Sequence, residues 1–279
     1  MKKLRKITKY IKHNLKHVIY GILGVGVVIF GILLIWIATL SIPDFKSFDA
    51  RKVESSTKIY DRTGKILLYD VHEDYKRTVV PYDQINAYSK NATVAIEDSE
   101  FYQHNGVRLK AIIRAILANT LHIGKTQGGS TITQQVIKNS LLTQQKTIAR
   151  KIKEWILAFK IEKVMTKEQI LAIYLNDAPY GGSIYGIEQA SQTFFHKKAL
   201  DVTLAEAAYL AAIPNAPTFY SPYGKNKEKL NTRKNVVLSR MRELNFITEE
   251  EYNTAKNEVV IFQPQEVVGL KAPHFVIYI

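Results

Sequence analysis

The 279-residue sequence predicts a mainly α-helical domain with a short β-hairpin at its start, carried behind one N-terminal transmembrane helix. Three observations predict it. The signature Thr-x-x-Gln/Glu, in which each side chain caps the other's backbone amide, occurs at 131–134, 166–169, 203–206 and 248–251. Apolar residues recur at helical spacing in 108–121 and again in 147–163. The stretch 18–40 runs 23 residues without a charge, enough at about 1.5 Å per residue to cross a hydrocarbon core of about 30 Å.

The chain opens on a basic tail, 1–17, whose Lys2, Lys3, Arg5, Lys6, Lys9, Lys12 and Lys16 meet no acid. A secretory signal has an apolar region of only about 7–15 residues, so 18–40 reads as a retained anchor. Its basic flank stays cytoplasmic and everything after residue 40 lies outside. Tyr20 and Trp36 sit near its two ends, as interfacial aromatics do. A polar linker containing Pro43 fills 41–56. Residues 58–60, the turn 61–64 and 65–69 read as strand, turn, strand, and 78–80 adds a further short strand.

The helices follow. In 108–121, Leu109, Ile112, Ile113, Ile116 and Leu117 share one face, which either packs on a core or dips into a membrane with a basic rim. A glycine-rich loop, 124–129, precedes the first Thr-x-x-Gln start. In 147–163, Ile148, Ile152, Trp155, Ile156 and Phe159 form an apolar face. The helix 167–176 is followed by breaks at Gly181-Gly182 and Tyr185-Gly186, and an Ala-rich, closely packed helix at 204–213 is ended by Pro214 and Pro217.

Composition narrows the chemistry. The absence of cysteine excludes disulfides, thiolate metal sites and a cysteine nucleophile. The net charge is +14, but seven of the 39 basic residues belong to the tail, leaving 32 against 25 acids. That mild excess disfavours nucleic acid as a partner and suits anionic lipid head groups or a phosphate-bearing substrate.

Residues 97–106, EDSEFYQHNG, place Glu97, Asp98, Glu100 and His104 directly after the apolar run 92–96. A carboxylate there is either a solvated helix end or a partly desolvated proton acceptor. Glu154 follows Arg150 by four residues and Lys151 by three, a spacing that gives an ion pair on a helix. Ser130 is placed to cap a helix or to bind phosphate at its N-terminus. Ser55-Ser56-Thr57-Lys58 has the SxxK spacing of a penicillin-binding transpeptidase, but no SxN or KTG follows.

Five blocks stand in order: EDSEFYQHNG (97–106), GGSTITQQVIKN (128–139), RKIKEW (150–155), KEQILAIYLNDAPYGGSIYGIEQAS (167–191) and TLAEAAYLAAIPNAPTFYSP (203–222). Together they resemble the bacterial peptidoglycan glycosyltransferase domain, glycosyltransferase family 51, found in class A penicillin-binding proteins and monofunctional transglycosylases. The resemblance spans 57–265. It implies a lysozyme-like helical globular lobe with a smaller membrane-associated jaw lobe. It also implies polymerisation of lipid II into β-1,4-linked glycan with release of undecaprenyl diphosphate.

By the same resemblance Glu97 matches the catalytic base and Glu154 the second functional carboxylate. Ser130, Thr131, Gln134, Gln135 and Lys138 match the donor site, as do the basic pair Arg150 and Lys151. Asn176, Tyr180, Gly181 and Tyr185 match the fourth block, while Asp98, Glu100 and His104 stand as support. The chain departs from the family pattern at Ala178-Pro179-Tyr180-Gly181, which leaves the sugar contacts of that loop open, and at Lys146, where some members carry arginine. No organic cofactor is implied; a divalent cation, Mg or Mn, can accompany the diphosphate, with no ligands given. The implied partners are lipid II, the growing glycan chain, membrane lipids and other cell-wall synthesis, division and elongation proteins. The implied location is a bacterial plasma membrane, single-pass, with the N-terminus cytoplasmic and the catalytic domain extracytoplasmic. Residues 266–279 resemble the connector into a transpeptidase domain, so the intact protein is expected to continue past it. A lysozyme-like muramidase or lytic transglycosylase, and an inactive envelope scaffold, are the rival readings.

Overall fold

The computed structural model describes residues 15–17, 19–29, 31, 32, 35, 39, 57–63, 67–71, 76–108, 129–141 and 147–265. The chain divides into two compact units, 1–44 and 45–279. In the first, residues 19–29 are helical, and Ile19, Tyr20, Ile22, Leu23, Val25, Val27, Val28 and Ile29 are all exposed. Among the described residues no helix is long and apolar enough to cross a membrane. The expected span 18–40 includes residues outside the described set, as do the linker 41–56, most of 108–121, Lys146 and 266–279.

The second unit begins with the expected hairpin. Strand β1 (Thr57–Tyr60) pairs antiparallel with β2 (Leu67–Val71). The next strand is displaced from its expected place: β3 is Lys76–Arg77, and 78–80 are not strand. Asn176 explains the difference. Its side chain takes the Val80 N–H on Oδ1 (3.0 Å) and donates to the Val80 carbonyl from Nδ2 (2.9 Å), so Val80 bonds to a side chain instead of a strand.

The rest is helical: α1 (Ala87–Glu97), α2 (Ile132–Leu141), α3 (Ile148–Ile161), α4 (Lys167–Asp177), α5 (Ile187–Phe195), α6 (Leu204–Ala212), α7 (Lys227–Glu243) and α8 (Glu249–Asn257). Between α4 and α5 a hairpin of β4 (Pro179–Gly181) and β5 (Ile184–Tyr185) is joined in parallel by β3. All four Thr-x-x-Gln/Glu signatures close reciprocally at the starts of α2, α4, α6 and α8.

Helix α6 is the centre of the core, with every one of its residues buried. It packs against both α1 and α7. Five of its nine residues are alanine, which lets neighbouring axes approach toward the low end of the usual 8–10 Å or so. Helix α1 turns Ala92, Thr93, Val94 and Ala95 inward, and its last residue is Glu97.

The apolar face expected of α3 is not the buried one. Ile152, Trp155 and Ile156 are half-buried and Phe159 is 47% exposed. The face turned inward carries Glu154, Leu157, Ala158 and Ile161. One buried carboxylate, paired to a lysine on its own helix, reverses the choice that hydrophobicity alone makes.

Asn176→Ala strands both backbone groups of Val80 in the interior, at about 1–3 kcal/mol for each unpaired group. A thermal melt should show a loss of several degrees, and an unchanged melting temperature would contradict this framework role.

Candidate active site

The site forms where the C-terminal end of α1, the start of α2 and the middle of α3 meet. Asp98 caps α1 and is 1% exposed. Its Oδ2 accepts the Ile132 N–H at the start of α2 (3.0 Å) and lies 2.9 Å from His104 Nε2. The Gly106 N–H donates to His104 Nδ1 (3.1 Å), which makes Nδ1 the acceptor and Nε2 the N–H that donates to Asp98. Arg108 Nε stands 3.6 Å from Asp98 Oδ1.

The 98–108 loop is seated from below. Gly106 has φ +83°, and a Cβ there would come within 2.4 Å of the Ala158 carbonyl oxygen on α3. Its own carbonyl accepts from Thr131 Oγ1 (2.6 Å). Lys167 Nζ donates to the His104 carbonyl (2.7 Å), pairs with Glu162 (2.6 Å) and lies 4.5 Å from the centre of the buried Phe101 ring.

This frame leaves Glu97 half-buried, with Oε2 accepting from Gln135 Nε2 (2.8 Å), one turn into α2. At the other end of the same helix start, Ser130 Oγ accepts from Lys151 Nζ (2.9 Å). That ammonium also contacts Glu154 Oε1. Glu154 is 1% exposed, and its second oxygen, Oε2, is buried without a hydrogen bond. The first turn of α2 therefore touches both carboxylates: Glu97 through Gln135, Glu154 through Ser130 and Lys151.

The expected site residues fall into two groups. Glu97, Ser130, Gln135, Arg150 and Lys151 are half-buried, and Lys138 is exposed on α2. Thr131, Gln134, Asn176 and Tyr180 lie inside instead. Gln134 gives its carbonyl oxygen to the Thr131 N–H (2.9 Å), and the Thr131 hydroxyl accepts from Gln134 N (3.1 Å), so both serve the helix start. Gly181, at φ +103°, lies where a Cβ would press on the Pro217 carbonyl at 3.1 Å. Tyr185 is half-buried, with the Arg77 guanidinium 5.4 Å from its ring centre. Glu100 is largely exposed and lies 3.9 Å from Arg108.

Four contributors escape sequence reasoning. Burial pushes the Tyr174 hydroxyl well above its ordinary pKa, and the nearby Glu97 charge and Tyr180 push it further. Tyr174 thus lies within electrostatic reach of both. Burial also raises the Asp177 carboxyl, while the Arg77 guanidinium draws it back down. Arg77 carries no motif and its partners are remote in sequence, and Lys167, though it opens the fourth block, reaches back to the His104 carbonyl.

Among the described residues no group of three or more His, Asp or Glu could hold a metal ion. Glu154 already has an ammonium on one oxygen, so its surroundings do not fit a resident cation.

Two carboxylates, one reachable and one buried against a lysine, with a helix start and further cations between them, suit transfer chemistry on an anionic substrate. Residues 64–242 match the family described as Transglycosylase. The chain belongs to the transglycosylase family. This transglycosylase is 40% identical over 246 residues to penicillin-binding protein 1A of Aquifex aeolicus (strain VF5), covering 88% of this chain and 34% of that protein. It is 39% identical over 245 residues to penicillin-binding protein 1A/1B of Bacillus subtilis (strain 168), covering 87% of this chain and 26% of that one. A 2.6 Å crystal structure of penicillin-binding protein 1A from Haemophilus influenzae aligns with a TM-score of 0.46 and 24% identity, over 81% of this chain and 24% of that one. The transglycosylase chain thus spans about a third or less of the length of these relatives.

Asp98→Ala removes the carboxylate that Ile132, His104 and Arg108 share. Breaking a buried charge pair costs about 3–5 kcal/mol. The urea midpoint should fall accordingly; a shift within error would mean that the loop is held by its other contacts.

Proposed function

We propose that the transglycosylase is a peptidoglycan glycosyltransferase that joins lipid II units into β-1,4-linked glycan and releases undecaprenyl diphosphate. The observation that carries this reading is the hydrogen bond from Gln135 to Glu97, made from the same helix start whose Ser130 meets Lys151.

Glu97 acts as the general base. Its carboxylate takes the proton from the 4-OH of the acceptor N-acetylglucosamine as that oxygen attacks C1 of the N-acetylmuramic acid at the end of the growing chain. The bond from C1 to the diphosphate oxygen breaks, and its electron pair leaves with the diphosphate. One in-line displacement turns an α-linked donor into a β-glycoside, with inversion. A positioned base of this kind contributes about 10²–10⁴-fold. Gln135 keeps the carboxylate aimed.

The leaving group needs positive charge, not a proton. Lys138, Arg150 and Lys151 supply it, beside the Ser130 hydroxyl. Glu154 holds the Lys151 ammonium in place, which is why a buried carboxylate is useful there.

The wider assignment belongs to the same proposal. Residues 57–265 form the glycosyltransferase domain, with a helical lobe and a membrane-associated jaw lobe. The 18–40 segment anchors it, with the tail cytoplasmic and the domain on the outer face of a bacterial plasma membrane. The exposed apolar side chains of residues 19–29 support an anchor there.

The muramidase reading fits less well, because cleaving a glycoside needs an acid at the leaving oxygen, and the cations here answer to an anion. The detergent-solubilised protein incubated with labelled lipid II should make polymer, and Glu97→Gln should lower the rate by at least about 10²-fold. Unchanged polymer in that variant would remove Glu97 as the base; sugar release from preformed glycan would favour the muramidase.

A further inference from the structure

The connection from α4 to α5 is a tight hairpin that has little of its own to hold it. Strands β4 and β5 have three and two residues and an irregular register. Gly181, Gly182 and Gly186 take φ of +103°, +57° and +79°. A short two-stranded hairpin is marginal by itself in water.

One arginine from a strand a hundred residues earlier grips both ends. Arg77 lies opposite Tyr185 in the parallel β3–β5 pair. Its guanidinium is 3.0 Å from Asp177 Oδ1 at the hairpin's entry and 5.4 Å from the Tyr185 ring centre at its exit. The strap continues past it: Thr78 donates to Gln189 Oε1 on α5 (3.0 Å), and Val80 is held by Asn176 on α4. A planar guanidinium can meet a carboxylate and an aromatic face together, which a lysine ammonium does less well. The Arg77 and Asp177 side chains are 15% and 25% exposed, so their ion pair is partly shielded from water.

The helix that leads into the hairpin lies next to the candidate site. Helix α4 packs on α2, which carries Gln135. Burial raises the pKa of Tyr174, one turn before Asp177 on α4, and the charges of Glu97 and of the Tyr180 hydroxyl on the hairpin raise it further.

We propose that Arg77 is a positioning residue: by bridging Asp177 and Tyr185 it sets the pose of the Pro179–Tyr185 hairpin as a wall of the sugar-binding side of the site. Its loss weakens substrate binding and leaves the chemical step in place. The assignment rests on the lipid II reading.

The test measures lipid II affinity in detergent for the full chain with chemistry blocked by Glu97→Gln, alone and combined with Arg77→Met or Arg77→Lys. Turnover is then measured for the same Arg77 variants with Glu97 intact. Arg77→Met should weaken binding and raise KM about tenfold, with kcat within about twofold. Arg77→Lys restores the ion pair without the ring contact and should fall between. Arg77→Met binding lipid II as tightly as its parent, or lowering kcat at unchanged KM, overturns the proposal. If Arg77→Met does not fold, Asp177→Asn carries the same expectation for binding and KM, since it breaks the ion pair and keeps the ring contact. A Glu97→Gln parent that binds no lipid II defeats the polymerase reading itself, and this inference with it.

Discussion

A carboxylate withdrawn from water keeps its charge only where the protein replaces the lost solvent with donors. Asp98 has two such donors on one oxygen, the first amide of α2 and the ring of His104, and the guanidinium of Arg108 stands 3.6 Å from the other as an ion pair without a hydrogen bond. That constraint joins the end of α1 to the start of α2. Because Glu97 is the residue before Asp98 and Gln135 lies one turn into α2, the same junction fixes the distance between them. The loop that follows is locked over α3 by Gly106, where no side chain would fit against Ala158.

The two candidate carboxylates are set apart by surroundings, not by sequence. Glu97 is half-buried and hydrogen-bonded to a neutral amide. Glu154 is buried, with a lysine against one oxygen, and is suited to hold a charge in place. Removing either partner of such a pair leaves an uncompensated charge, so Lys151 and Glu154 depend on each other. The fold supports Glu97 through α6, whose alanines let α1 pack closely into the core, and Glu154 through the packing of α3 on α2.

Much of this is legible in the sequence where the cause is local. Each Thr-x-x-Gln/Glu signature needs only its own four residues, and all four close as expected. The hairpin at 57–71 follows from a turn between apolar runs. The face of α3 was not legible, because hydrophobic spacing favours Ile152, Ile156 and Phe159, whereas the fold buries Glu154 beside Lys151. Three adjacent acids at 97–100 also look alike in sequence. Only the turn after α1 separates a strut, Asp98, from a half-buried Glu97 and an exposed Glu100. Thr131, Gln134, Asn176 and Tyr180 belong to the matching blocks, yet their contacts are with the chain itself. Arg77 has no local signal, since its partners lie a hundred residues away.

The central claim is that Asp98 acts on the reaction through the register of α2, and so through Gln135. A double-mutant cycle on lipid II polymerisation, with Asp98→Ala and Gln135→Leu alone and together, tests it most directly. Residues that work through one contact are non-additive, whereas independent sites add to within about 0.3–0.5 kcal/mol. The account predicts that the double variant is little slower than the slower single variant. Rate losses that multiply would contradict it, and would mean that Asp98 and Gln135 serve the reaction separately.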